Sequence, residues 1–258
     1  MTTIYHTGKV RRDAPAAMSE AERKARVELA AAYRIFDMLG WTEMIFNHIT
    51  LRVPGPEIAF LINPFGLHYR EVTASNLVLI DIEGNPLRET AWPVNQAGFI
   101  IHSALHASQP GAHCIMHTHS TTGVAVASLK DGLSPDNFYG AMLQGQLAYH
   151  DFEGTTVEPG EKERLVRNIG DKRAVILRNH GLLAWAPSVA QAFATLWTLQ
   201  RACDVQIAAS AAGAINPVTP QAIERSVRAS GQGEKRTCED VFAAMQRLVD
   251  ARDPSYRD

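Results

Sequence analysis

Residues 113–120 read HCIMHTHS, and no other stretch constrains the chain as much. Cys114, Ile115 and Met116 are apolar enough for a buried strand, and side chains two apart on a strand share a face. His117 and His119 then aim two imidazoles into one space. Crowded imidazoles without partners are costly, and a divalent cation removes that cost. A solvated pair at a strand end satisfies the same spacing. His180, in RNHGLL, precedes a glycine at the end of a second apolar strand, where the backbone can turn tightly. It suits a third ligand if the two strands adjoin, and a plain turn cap if they do not.

The flanking patterns supply a sheet and its helices. Residues 1–17 are polar and proline-containing and read as a loose arm. Ser19 with Glu22 forms a capping-box pattern opening a helix that Gly40 ends. HITLRV, EIAFLINP and LVLIDI read as strands, the last followed by a Gly-Asn turn. A helix is expected from about Asn95 to Pro110, then the HCIMHTHS strand and a helix over TTGVAVASL. KRAVILRNHGLLAWA reads as strand, sharp turn, strand, and Ser188 caps a long helix. From about residue 216 the chain is polar, with one short amphipathic helix near CEDVFAAMQRLV. The expectation is one α/β domain over residues 18–258, with a central, largely antiparallel sheet and a C-terminal helical extension.

Composition excludes several classes. The 258 residues are 46% hydrophobic with a formal net charge of -2, so no electrostatic footprint for nucleic acid or an anionic membrane is present. No apolar run approaches a membrane span and no signal-peptide core opens the chain. Cys114, Cys203 and Cys238 are scattered and odd in number, which points to a reducing, cytoplasmic setting.

Other polar residues are candidates for chemistry or for ordinary structure. His102 and His106, four apart, share a helix face and suit either catalysis or a hydrogen-bonded core role. Tyr149, His150 and Asp151 form a polar cluster in which tyrosine or histidine could serve as a general acid, or an aromatic turn. Asn47, His48 and Thr50, with Asn63 and Gly66, could line a pocket or make Asx turns.

NHITLR, FLINPFGLHYREVTASNLVLIDIEGN, VNQAGFIIHSALHASQPGAHCIMHTHS, LAYHDFEG and LRNHGLLAW, in this order and spacing, resemble the class II aldolase/adducin family over roughly residues 20–215. The wording is closest to the adducin head domain and its bacterial relatives. The resemblance implies an αβα sandwich around a mostly antiparallel nine-stranded sheet, a homotetramer, and a divalent metal held by His117, His119 and His180. Zinc is the expected metal, with manganese or iron as alternatives. The chain departs from the sugar-phosphate aldolases of this family at the position of their catalytic glutamate, here Gly98. Their phosphate-binding positions are here Asn47-His48 and Gln96-Ala97, without the small and hydroxyl residues that cradle phosphate. A glutamate restored at 98 is expected to face the metal one helical turn from His102.

Three imidazoles leave the metal's charge uncompensated and coordination positions open, which favours an anionic, chelating substrate such as a 2-oxo or 2-hydroxy carboxylate. The expected function is a metal-dependent carbon–carbon lyase, a decarboxylase or aldolase, on a small non-phosphorylated carboxylate. Tyr149, matching the family's proton-donating tyrosine, His102 and His48 are the expected proton carriers. Asn47, Asn63, Gly66 and Gln96 are the expected substrate contacts. A non-catalytic adducin-like assembly protein and a non-haem iron oxygenase on the same scaffold are the alternatives.

Overall fold

The computed structural model describes residues 5–6, 18–55, 57–154, 160–230 and 234–258. Helix α1 (Glu20–Leu39) begins where Ser19 Oγ accepts the Glu22 backbone N–H at 3.0 Å. The reciprocal half of the expected capping box gives way to ion pairing, because the buried Glu22 carboxylate is held by Arg26 and Arg88. Strand β1 (Tyr5–His6) precedes α1; β2 (His48–Val53), β3 (Ala59–Ile62), β4 (Val78–Asp81) and β5 (Val94–Asn95) follow it. Helix α2 (Gln96–Ser108) leads into β6 (Cys114–Thr118), α3 (Thr121–Ala127), α4 (Phe138–Met142), β7 (Leu147–His150) and α5 (Glu161–Ile169). The hairpin β8 (Ala174–Leu177) and β9 (Gly181–Ala186) precedes α6 (Val189–Ala212), α7 (Pro220–Ser230) and α8 (Glu234–Arg252).

Seven strands form one mixed sheet in the order β4-β3-β2-β6-β9-β8-β7, rather than the nine expected. Every pair is antiparallel except β7 with β8. The two remaining strands, β1 and β5, pair with each other outside that sheet. The stretches between β3, β4 and β5 are rich in Pro, Gly, Asn and Thr, and such residues place backbone in turns instead of a ladder. In the arm expected over 1–17, Tyr5–His6 pair with Val94–Asn95, and its other residues lie outside those described.

The pleat sends alternate side chains to opposite faces, and both faces are covered. Ile49 and Leu51 of β2, Cys114 and Met116 of β6, and Leu182 and Ala184 of β9 enter the main core with α1 and α6. Ile115, Leu183, Trp185 and Val175 pack on the other face with Ala104 and Leu105 of α2 and Leu165 of α5. The sheet is thus sandwiched between helical layers, and His48, Thr50 and His117 have the parity of the α2 face. Among the described residues, no helix is long and apolar enough to cross a membrane.

Candidate metal centre

His117 lies at the centre of the sheet, opposite His48 on β2 and Leu183 on β9. His119 follows two residues later, just past the end of β6. Ser120 then caps α3 and donates to Gln200 Oε1 of α6 at 2.5 Å, which fixes the exit of the chain. His180 comes from the turn between β8 and β9, where Asn179 takes a left-handed φ of 58°. The next residue must be small. A Cβ on Gly181 would collide with the Thr118 carbonyl oxygen and stand 3.1 Å from His119 Cδ2 and 3.3 Å from His117 Cε1. That close approach brings the turn against the end of β6.

One potential ligand atom from each of His117, His119 and His180 lies within 4.8 Å of the others. His117 Nδ1 is 2.8 Å from the Leu182 carbonyl oxygen, which can only accept, so Nδ1 carries the proton and Nε2 offers its lone pair. That Nε2 is 2.7 Å from His119 Nε2. Burial pushes the basicity of all three rings down, and neighbouring imidazoles push His117 and His180 further, His180 to about 4. Neutral rings are the form a metal takes. Nitrogens about a tetrahedral zinc stand about 3.3 Å apart at bonds of about 2.0–2.1 Å. His117 and His119 stand closer than that and the ligand atoms of the three residues spread over up to 4.8 Å, so ring rotations that move atoms by about an ångström complete the arrangement, and three neutral imidazoles are a donor set that fits a divalent metal.

A cavity of about 690 Å³ opens over the triad. His48, Gly98, His150, Arg178, Phe46, Phe65 and Phe152 are among its lining residues. The structure brings His48 to this cavity, 5.2 Å from His117 between ring centroids. Gly98 also lines it, but a Cβ there would lie 2.7–2.8 Å from the His48 ring, so the space into which a side chain at 98 would project is filled. His102 sits fully buried behind His48, with ring centroids 4.3 Å apart, and its Nδ1 is 2.7 Å from Thr50 Oγ1.

The remaining expected residues lie elsewhere. Tyr149 has the parity of the opposite face of β7, where it packs against the main core and its hydroxyl accepts the Leu133 N–H at 3.0 Å. Its place at the cavity is taken by His150, which the sequence pattern left as one member of a polar cluster. Asn168 Nδ2 donates to His150 Nδ1 at 3.0 Å, leaving the proton on Nε2, 3.8 Å from Glu153 Oε1. Burial also lowers the basicity of this ring. Recognising LAYH as a strand would have separated Tyr149 from His150 by parity alone. Asn63 Oδ1 accepts from the buried Tyr33 hydroxyl at 3.0 Å, and Asn47 is buried with its amide directed at the Trp41 carbonyl. Gly66 is next to the lining residue Phe65, without itself lining the cavity. Gln96 begins α2, and its side chain is outside those described.

Residues 27–207 match the family model for the class II aldolase and adducin N-terminal domain. The solved structure of an aldolase II superfamily protein from Pseudomonas syringae is 41% identical, with a TM-score of 0.89 over 93% of this chain and 98% of that one. An L-fuculose 1-phosphate aldolase from Glaciozyma antarctica is 29% identical, with a TM-score of 0.82 over 95% and 97% of the two chains. Alpha-adducin from Rattus norvegicus is 44% identical over 207 residues, which are 78% of this chain and 28% of that protein. Together with the three histidines on the end of the sheet, these matches establish that the chain belongs to the class II aldolase and adducin family.

Proposed function

We propose that the chain is a metal-dependent carbon–carbon lyase, a decarboxylase or aldolase, acting on a small non-phosphorylated carboxylate. The carrying observation is the lining of the cavity beside the triad. Arg178 is the one cation other than histidine among its described residues, and Arg178 faces Asp151 at 3.5 Å and stacks 4.5 Å over Tyr149. Glu43, Glu153 and Glu161 add acidic groups to the wall. Glu153 is itself paired with Arg164, so what the described lining lacks is a cationic cradle for a phosphate, whereas a single carboxylate needs only the metal.

His117, His119 and His180 would hold the ion, with zinc the best match to a set of neutral imidazoles and manganese or iron the alternatives. A bound ion would polarise a substrate oxygen and accept charge from the breaking bond. The protein's own groups do the rest. Phe46, Phe65 and Phe152 shelter the apolar part of the substrate from water. His150 keeps a proton at Nε2, ready for the departing fragment, and Asn168 fixes that tautomer. Buried Cys114 and Cys203 thiols outside any disulfide support a cytoplasmic setting, and family membership supports a homotetramer.

The likeness to alpha-adducin, together with glycine at 98, supports a second reading in which the chain assembles with partners and catalyses nothing. One preparation decides between them. Protein purified without added metal is analysed for elements, then assayed for carbon dioxide or aldehyde release from a panel of 2-oxo, 2-hydroxy and aromatic carboxylates. About one zinc or manganese per chain is expected, with turnover of a panel member, and His117→Ala should lose both while staying folded. His113 is exposed at the far end of β6, so His113→Ala should lose neither. A folded protein that takes no metal supports the assembly reading, stoichiometric iron with substrate-dependent oxygen uptake supports an oxygenase, and efficient cleavage of a ketose 1-phosphate overturns the proposal.

A further inference from the structure

We propose that His48 is a fourth protein ligand of the metal, leaving a fifth coordination position for substrate, with its lone pair directed by a buried chain through His102, Thr50 and His106. The proposal rests on the reading that His117, His119 and His180 hold an ion.

Neither buried ring nitrogen of His48 makes a hydrogen bond of good geometry, although backbone at Phe46 and Gly98 lies near the ring, the ring lines the metal cavity, and it is cross-strand from His117. Orphaned polar atoms at such a place call for an explanation. The ring's position follows from Gly98, since any side chain there would meet His48 Nδ1 at 2.7 Å. Glycine at 98 and histidine at 48 are therefore one arrangement. An imidazole from β2 fills the space beside the helix into which a side chain at 98 would project.

The proton on His48 is set from behind. His106 Nδ1 is 2.7 Å from the Ala112 carbonyl oxygen, so it must donate, and the neutral ring offers Nε2 as an acceptor. Thr50 Oγ1 is 2.8 Å from that Nε2 and donates its one hydrogen there. The hydroxyl oxygen is then free to accept, and His102 Nδ1, 2.7 Å away, donates to it. His102 Nε2 is left as a bare lone pair, and it too is buried without a partner. The His102 and His48 rings are in contact, with centroids 4.3 Å apart at 51°. His48 stands outside the group of ligand atoms that lie within 4.8 Å of one another, so it reaches the ion by rotating toward it, and the same rotation would join the orphans as an N–H donor and an acceptor. The other His48 nitrogen then carries a lone pair for the ion, in the way that ligating histidines are oriented by what their second nitrogen meets.

The test is X-ray absorption spectroscopy on protein loaded with zinc, together with the visible spectrum of the cobalt-substituted form. Wild type should show four imidazole nitrogens on the metal and His48→Ala three, with a changed cobalt spectrum. Thr50→Val, which interrupts the chain without touching a ligand, should weaken zinc binding about 10- to 100-fold against a competing chelator. Three imidazoles in wild type, or a cobalt spectrum that His48→Ala leaves unchanged, overturns the proposal while the triad stands. Wild type that binds no metal overturns the triad and the proposal together. Should His48→Ala fail to fold, the wild-type imidazole count decides alone.

Discussion

At the scale of the residue, position 98 shows how a reading confined to one helix misses what packs on it. A side chain placed at Gly98 was expected to face the metal, but His48, fifty residues earlier, fills that space with its ring. Gly98→Glu should therefore overpack the α2–β2 contact, destabilising the protein by about 1–3 kcal/mol, and displace His48 instead of strengthening the metal site. The double variant His48→Gly with Gly98→Glu removes the clash and should recover most of that stability in chemical denaturation. A single variant as stable as wild type would mean that the ring yields freely. The three triad histidines were legible because strand periodicity and one turn glycine confine them, whereas seeing that His150 and not Tyr149 lines the cavity depended on recognising β7 as a strand.

Among the elements, the β6–β9 pair carries the site, and its tolerance is lowest at the turn. Gly181 lies against the Thr118 carbonyl and both neighbouring imidazoles, so Gly181→Ala must separate the ends of the two strands. A loss of about 1–3 kcal/mol is expected, with reduced metal content at equal protein concentration. Full occupancy in a folded variant would show that the triad does not depend on this approach. Helix α1, with its apolar stripe, and α6, apolar over most of its length and capped by Ser188, were evident in the sequence. Helix α7 was not: its half-buried positions fall on one face, against α4, but none of its side chains is fully buried, and the polar composition of the segment masked that face. For β1 and β5 the obstacle was length: two residues carry no period.

For the whole molecule, the cluster of neutral histidines ties stability to acid. Burial pushes His48 and His106 each to about 3, below the 6.5 of an exposed ring. The unfolded chain takes up protons first as pH falls below 6.5, so stability is intact above that pH and declines between 6.5 and 3. The slope is roughly 1.4 kcal/mol per pH unit for each such group. Chemical denaturation of chelator-treated protein at pH 7, 6 and 5 should show the decline. Equal midpoints at all three would mean that these rings are hydrated in solution. Seven strands suffice for the sandwich because the division of labour runs through the sheet's two faces. Along β2, β6 and β9, alternate positions belong to the α1–α6 core or to the α2 side, where the histidines gather. Inheritance can act on these positions as two separate texts written on one backbone. A lineage can rewrite the reaction, or erase it, in every second letter while the architecture continues to be copied in the others.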